Sequence, residues 1–365
     1  MRILQIYDHL GMSNGINAVL MNWLRNIDRE KIQIDFLIGY HRMPSFEEEI
    51  KQYGSRIFYM SDSAVFGVKQ LPGIARNVKA FMKEHARDYD AVHLHTTTFS
   101  YPYLYYAKKY GVKRRICHVH SVELGNTKFG AWRNKLLVWP LKYLANEFVA
   151  CSKNAGIKYY TPLGIKKFET ILNGINLSQY SMAEGTRQQL RTALGVEKET
   201  FLVCHISNMT QIKNVPFVVQ VFARIAEERP NSRLLLVGKD VLPEAVTEQI
   251  HLHGVADRII NLGVRSDVPA LLEASDVCLM PSKSEGLGMV AIESQAAGTP
   301  VLTSTGFPEE IYATELAVRA ELAAELWAQT ALKQIRKDSV QHRENLKRFD
   351  VVNIAEQVSN YYLGR

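Results

Sequence analysis

No two of the four cysteines lie close enough in sequence to form a zinc or redox motif. Cys117, Cys151, Cys204 and Cys278 stand singly in or at the end of apolar runs, where buried, reduced thiols are expected. No run approaches the roughly 18 consecutive apolar residues of a membrane-spanning helix, and the opening MRILQIYDHLG turns polar too early for a signal peptide. A cytoplasmic protein is expected. Short-period repeats and low-complexity tracts are also missing. With 47% hydrophobic and 22% charged residues nothing in the composition implies disorder, and 365 residues exceed one ordinary core, so two domains are expected.

Acidic residues are few relative to basic ones in the first half only. Residues 1–178 hold 25 Lys+Arg against 14 Asp+Glu, leaving 19 against 23 in the remainder, so the net +7 comes wholly from the first half. None of the usual nucleic-acid signatures accompanies that excess, and nucleic acid is not expected as a partner. An anionic membrane surface or a phosphorylated substrate suits the basic half better.

Strand-compatible runs alternate with helical patterns throughout. RILQIY, IQIDFLIG, RIFYM, AVHLH, RICHVH and EFVAC are separated by stretches such as Ile16–Ile27 and Leu71–His85, and FLVCHIS, SRLLLVG, IINLG, DVCLM and VLTS repeat the scheme. Such alternation predicts βαβ units and parallel sheets, giving an α/β chain of two Rossmann-like, doubly wound domains. The turn at Asn173-Gly174 and the polar stretch Ser178–Gly185 separate the halves. Open α/β sheets bind ligands beyond the carboxyl ends of their strands, so the cleft between the domains is the expected site.

Four motifs fall at strand ends: DHLGMSNG, HVHS, SNMTQIKN and SEGLG. In SEGLGMVAIE, Gly286 and Gly288 let backbone amides approach a ligand where a helix begins, which suits phosphate oxygens. Glu285 precedes that helix and Glu293 lies within it; eight residues at ~1.5 Å rise predict a separation of roughly 12 Å. That span fits the two ends of a nucleotide-sugar, one acid for ribose hydroxyls and one for the sugar. The bland alternative is an acid near a helix start and a solvated helix residue.

The stretch MPSKSEGLGMVAIESQAAGTPV resembles the signature of the retaining glycosyltransferases of family 4, which have the GT-B fold, and is most similar to bacterial exopolysaccharide and capsule transferases. The likeness extends over nearly the whole chain, through NGINAVL, VACSK, ILNGIN, QIKN and INLGVRSDVPALLEASDVCLMPS. It implies transfer of a sugar from a nucleoside diphosphate donor, usually a UDP-sugar, to a glycan or lipid-linked acceptor, with retention and with no metal or other cofactor. It further implies an acceptor-binding domain over residues 1–178, which a C-terminal helix over 350–365 could complete, and a nucleotide-sugar-binding domain over 179–349.

Carried over residue by residue, the resemblance gives Glu293 the ribose hydroxyls, and gives Glu285 with the amides of Gly286, Leu287 and Gly288 the transferred sugar and diphosphate. Lys213 would neutralise the leaving diphosphate, Val264 and Arg265 would lie near the base, and Asn14 and Gly15 would form the N-terminal glycine loop on the acceptor or phosphate side. Chain and family part at one position, where Asn208 stands in place of an arginine that would grip the diphosphate.

Two His-x-His pairs remain. Residues i and i+2 of a strand share a face, so His93/His95 and His118/His120 could each offer two ligands to a metal, but the spacing supplies no third. No metal is expected. His120 resembles the family's histidine beside the donor sugar, His118 is the alternative, and His93 and His95 read as strand-end residues with satisfied hydrogen bonds.

The segment KFGAWRNKLLVWPLKYLANEF joins Lys128, Arg133, Lys135 and Lys142 to Trp132, Trp139 and Tyr143. An interfacial helix at the inner face of the plasma membrane and a core helix with inward aromatics both fit this pattern. For the whole chain, a non-catalytic transferase-like subunit and a nucleotide-sugar epimerase are the alternatives to a transferase.

Overall fold

The computed structural model describes residues 1–12, 15–64, 70–95, 100–122, 137–180, 185–336 and 344–365. They divide into two compact units, Met1–Gly174 with Val351–Arg365, and Ile175–Asp350.

The first unit is a parallel sheet of seven strands: β1 (Arg2–Tyr7), β2 (Gln33–Ile38), β3 (Ile57–Tyr59), β4 (Ala91–Leu94), β5 (Arg114–Val119), β6 (Glu147–Ala150) and β7 (Glu169–Thr170). Their order is β3-β2-β1-β4-β5-β6-β7. In β1 the residues from Ile3 to Ile6 are all buried, because helices cover both faces of a parallel sheet and leave no polar side. Helix Gly15–Asn26 buries Val19, Leu20, Trp23 and Leu24, and helix Val351–Leu363 adds Ile354, Val358 and Tyr362 to the same core.

That last helix is fastened at its end. Arg114 donates to the carbonyls of Tyr361 and Tyr362 while pairing with Glu147 at 2.7 Å, and Tyr361 Oη donates to Glu147 Oε2 at 2.7 Å. A cation on the last carbonyls satisfies acceptors that a helix terminus leaves open.

The second unit repeats the plan with β8 (Phe201–Ile206), β9 (Ser232–Val237), β10 (Ile259–Asn261), β11 (Val277–Met280), β12 (Val301–Thr303) and β13 (Ala317–Arg319), in the order β10-β9-β8-β11-β12-β13. Helix Val215–Glu228 starts with Pro at its first turn, where no amide is missed, and buries Val218, Val219, Phe222 and Ile225 against the sheet. The chain order reverses between β1 and β4 in one sheet and between β8 and β11 in the other, the kind of place where open α/β sheets hold ligands.

The four cysteines are free and buried, and burial pushes the Cys117 thiol up to about 12. Among the described residues no helix is long and apolar enough to cross a membrane.

Candidate active site

In the second unit the loops that leave β8 and β11 flank the switch point, and they hold Lys213 and Glu285. After β8 the chain folds on His205. Its Nδ1–H donates to the Leu279 carbonyl at 2.7 Å, so Nε2 accepts from Ser207 Oγ at 2.7 Å, and Ser207 Oγ in turn accepts from the Met209 amide at 3.0 Å. Burial lowers this imidazole to about 4 and keeps it neutral. Gly238, at the end of β9 with φ +133°, closes the same corner, since a Cβ there would meet the Ser207 carbonyl oxygen at 1.7 Å.

The next residues set the lysine. Met209 and Asn214 both take positive φ, and a short 3-10 turn over Gln211–Lys213 leads into helix Val215–Glu228. The Ile212 carbonyl accepts from the Lys283 amide at 2.8 Å, tying the two loops together. Lys213 Nζ then lies 2.6 Å from Glu285 Oε1, and the Glu285 amide is held by the Gly306 carbonyl at 3.1 Å.

The helix behind Glu285 runs Met289–Ala296, with Gly288 at its N-cap and φ +87°. The roughly 12 Å separation expected along a helix axis therefore does not apply: residues 286–288 are loop, and helical rise covers only the stretch from Met289 to Glu293. Gly286 and Leu287 are both buried in that loop. Gln295 Nε2 donates to the Ile311 carbonyl at 2.8 Å and Ser294 Oγ to the Thr299 carbonyl at 2.9 Å, so the helix is pinned from its far side. Burial raises the Glu293 carboxyl to about 7. The buried Tyr180 hydroxyl lies near it and is itself raised, by burial first and then by that carboxylate.

The base-side pair is placed differently. Val264 is exposed, and the Arg265 guanidinium holds Asp267 through two bonds of 2.8 and 2.6 Å. Arg265 is thus engaged within its own loop, and a role in replacing the missing arginine would need it to leave Asp267. Asn208 is exposed, and its Oδ1 accepts from the Thr210 amide and hydroxyl at 3.4 and 3.2 Å, so it serves as a turn-former.

In the first unit Gly15 opens helix Gly15–Asn26, and Asn14 lies outside the described residues. The loop before them is folded on His9, whose Nδ1 accepts from the Gly11 amide at 3.0 Å, while Asn17 Nδ2 donates to the Gly11 carbonyl at 2.8 Å. Burial, and then Arg42, lower His9 to about 4.

The two His-x-His pairs, separate in sequence, meet in space because β4 and β5 are neighbours. His93 Nε2 is 3.2 Å from His118 Nδ1 and His95 Nδ1 is 2.9 Å from His120 Nε2. His93, His95 and His118 bring one nitrogen each within 4.8 Å of one another, so three imidazoles converge where spacing suggested only two. Those nitrogens already bond to one another and to Tyr362 and Gln5, and among the described residues no carboxylate joins the group. Burial lowers all four rings, His120 to about 4.

The aromatic segment forms a short helix, Leu141–Leu144, whose Leu141 and Leu144 are buried while Trp139 and Tyr143 are 48% and 56% exposed. The inward reading of these two aromatics is therefore corrected: Lys142 Nζ sits 4.4 and 4.8 Å from their ring centroids at the surface. Lys128, Trp132, Arg133 and Lys135 lie outside the described residues.

Comparison with known proteins gives two family models, Glycosyltransferase Family 4 over residues 13–179 and Glycosyl transferases group 1 over residues 200–336. EpsF of Bacillus subtilis (strain 168) is 28% identical over 330 residues, covering 88% of this chain and 84% of that protein. The UDP-Gal:alpha-D-GlcNAc-diphosphoundecaprenol alpha-1,3-galactosyltransferase of Escherichia coli is 25% identical over 252 residues, covering 65% and 62%. The crystal structure of Anabaena Alr3699/HepE in complex with UDP and glucose superposes with a TM-score of 0.80 over 100% of both chains at 20% identity, which shows the shared GT-B fold. The two models together span most of the chain, which belongs to the glycosyltransferases, with a family 4 domain followed by a group 1 domain.

Proposed function

We propose that the chain transfers a sugar from a UDP-sugar to a glycan or lipid-linked acceptor in cell-surface polysaccharide synthesis, with retention of configuration and without a metal. The observation that carries this reading is the Lys213–Glu285 pair at the β8/β11 switch point, beside the loop of Gly286, Leu287 and Gly288. Amides and an ammonium placed together there suit a diphosphate, and the ammonium stabilises charge that grows on the departing phosphate. In the reaction the bond from the sugar's anomeric carbon to the diphosphate oxygen breaks, a bond to the acceptor oxygen forms, and the acceptor's proton leaves with the diphosphate.

In this reading Glu293 accepts from the ribose hydroxyls, Glu285 and the loop amides take the sugar and diphosphate, and His120 meets a sugar hydroxyl. Gly15 and Asn14 are assigned to the N-terminal loop, and Val264 with Arg265 to the neighbourhood of the base. The UDP and glucose in the HepE structure and the diphosphoundecaprenol named for the E. coli relative support the donor and acceptor classes. Release of UDP from a panel of UDP-sugars with candidate acceptors, with and without a chelator, tests it; silence across the panel would favour a non-catalytic subunit, to which the Asn208 departure points.

Trp139, Tyr143 and Lys142 are the groups by which this reading places the protein at an anionic membrane surface, where amphipathic aromatics and a basic side chain add affinity. Salt-sensitive sedimentation with anionic vesicles, lost in Trp139→Ala/Tyr143→Ala, is the expected outcome; indifference to lipid charge removes the membrane from the proposal.

A further inference from the structure

The corner after β1 leaves two hydrogen-bond donors facing each other. His9 Nδ1 accepts from the Gly11 amide at 3.0 Å and lies 3.3 Å from Asn17 Nδ2, which is fixed as a donor by its 2.8 Å bond to the Gly11 carbonyl. A backbone N–H can only donate, so Nδ1 is a lone pair, and the proton of this buried, neutral imidazole sits on Nε2. Arg42 Nη1 stands 3.3 Å from that Nε2, and a guanidinium too has only hydrogens to give. The contact is therefore N–H against N–H and satisfies neither group. Among the described residues His9 Nε2 meets no acceptor and Arg42 pairs with no carboxylate, Asp8 bearing instead on Tyr40 and Tyr103.

The fold holds both donors in this position. The Met12 amide donates to the Pro44 carbonyl at 2.9 Å and the Phe46 amide to the Leu10 carbonyl at 3.0 Å, so the loop that carries Arg42 is laced to the loop that carries His9. Gly11 gives the arginine stem its bed, since a Cβ there would lie 3.1 Å from Arg42 Cδ. The Tyr40 ring stands edge-on to the His9 ring at 5.4 Å between centroids and fixes its plane. Arg42 itself is exposed, so a solute can reach its hydrogens, and the two loops leave the carboxyl ends of β1 and β2, the end at which open α/β sheets hold ligands. With the nitrogens 3.3 Å apart, one oxygen can lie about 2.9 Å from both at once.

We propose that His9 and Arg42 form an oxyanion site, in which one phosphate or carboxylate oxygen of the acceptor accepts from His9 Nε2 and Arg42 Nη1 together. That the acceptor supplies the oxygen rests on the proposed function; the site itself does not. A neutral sugar oxygen could take the same two hydrogens, but only an oxyanion also offsets the guanidinium charge, and charge-assisted bonds are roughly twice as strong as neutral ones. The site thus narrows the acceptor from any glycan to one that carries a phosphate or carboxylate.

Nitrogen–proton correlation NMR of the full chain, labelled at the histidine nitrogens and with UDP in excess, is followed while inorganic phosphate is added. The expected spectrum has His9 protonated on Nε2, and phosphate moves that signal saturably. In Arg42→Gln, a change at an exposed position, the phosphate affinity falls about tenfold, the loss of one charge-assisted partner. With phosphate- or carboxylate-bearing acceptors the same variant raises the acceptor KM by a similar factor and leaves the Kd for UDP unchanged, a split that mere loosening of the fold does not produce. A His9 protonated on Nδ1, a His9 signal indifferent to phosphate, or equal phosphate affinity in Arg42→Gln overturns the site. Weaker UDP binding in Arg42→Gln gives the oxygen to the donor and overturns its assignment to the acceptor. A His9 signal that answers to phosphate in a chain that transfers no sugar counts against the proposed function and is told apart from failure of the site.

Discussion

Lys213 and Glu285, 72 residues apart in the chain, meet at 2.6 Å across the place where the second sheet reverses its strand order. Both side chains are largely covered, so each needs the other. Removing one partner of a covered ion pair leaves the second charge poorly solvated. Lys213→Met is expected to destabilise the fold by about 1–3 kcal/mol in urea unfolding, and Lys213→Met/Glu285→Gln by clearly less. Equal losses in the single and double variants would mean that the pair is not coupled.

Glu293 titrates in the folded protein at about 7 against an ordinary 4.5, because of burial. Between those values the unfolded chain has lost a proton that the folded one keeps, so the group's contribution to stability falls as pH rises from about 4.5 to 7 and stays unfavourable above. The penalty is on the order of 3 kcal/mol at pH 8. Glu293→Gln should therefore raise the urea midpoint at pH 8 and leave it unchanged at pH 4.

In the proposed role the Glu293 carboxylate accepts from ribose hydroxyls, and its ionised form is the better acceptor, which would give UDP binding the opposite slope. Affinity in calorimetry should fall as pH drops through about 7, while Glu293→Ala should lose about 1–3 kcal/mol at pH 8 and flatten the profile. Unchanged UDP affinity in Glu293→Ala removes the ribose role.

Gly238 and Gly288 both take positive φ, but a Cβ would meet different obstacles. At Gly238 it is the backbone oxygen of Ser207, 1.7 Å away, and at Gly288 it is the Phe307 ring, 2.4 Å away. A ring can swing and a backbone cannot, so Gly238→Ala should lower Tm more than Gly288→Ala. The second should cost about 1 kcal/mol from conformation alone, plus whatever movement the ring makes.

Asn208→Arg places a permanent, bidentate cation on the Lys213 loop at an exposed position, at the cost of one Asx turn. Several-fold tighter UDP binding with transfer retained is the expected result. UDP binding that is weak in the wild type and no better in the variant, with no turnover on any donor, would favour the non-catalytic reading.

The sequence made the strand ends legible because apolar alternation marks each βαβ unit, and Gly286, Gly288, Glu285 and Lys213 stand in motifs tied to those ends. Helix Leu71–His85 appears with the bounds its periodicity predicts. Partners set by strand order stayed hidden. Nothing in the spacing of His93/His95 and His118/His120 says that β4 lies beside β5, nor that Gln5 and Tyr362, at opposite ends of the chain, join them. The roughly 12 Å estimate between the acids applied helical rise to all eight residues, whereas the helix begins only at Met289, after its N-cap Gly288. The Asn208–Thr210 turn and the Arg265–Asp267 pair are local, two residues apart, and could have been read from N-x-T and R-x-D.

Helix Val351–Leu363 belongs to the first unit although the whole of the second is made before it. On a ribosome, residues 175–350 have all their own strands in hand when the first sheet still lacks the surface that buries Trp23, His93 and Gln5. The contiguous unit can finish folding as it emerges, whereas the first must wait with part of its core uncovered until the last helix arrives. Slow or interrupted synthesis should thus expose the histidine cluster and its apolar surroundings, leaving the sheet that is made before the second unit to be protected from aggregation and proteolysis after it.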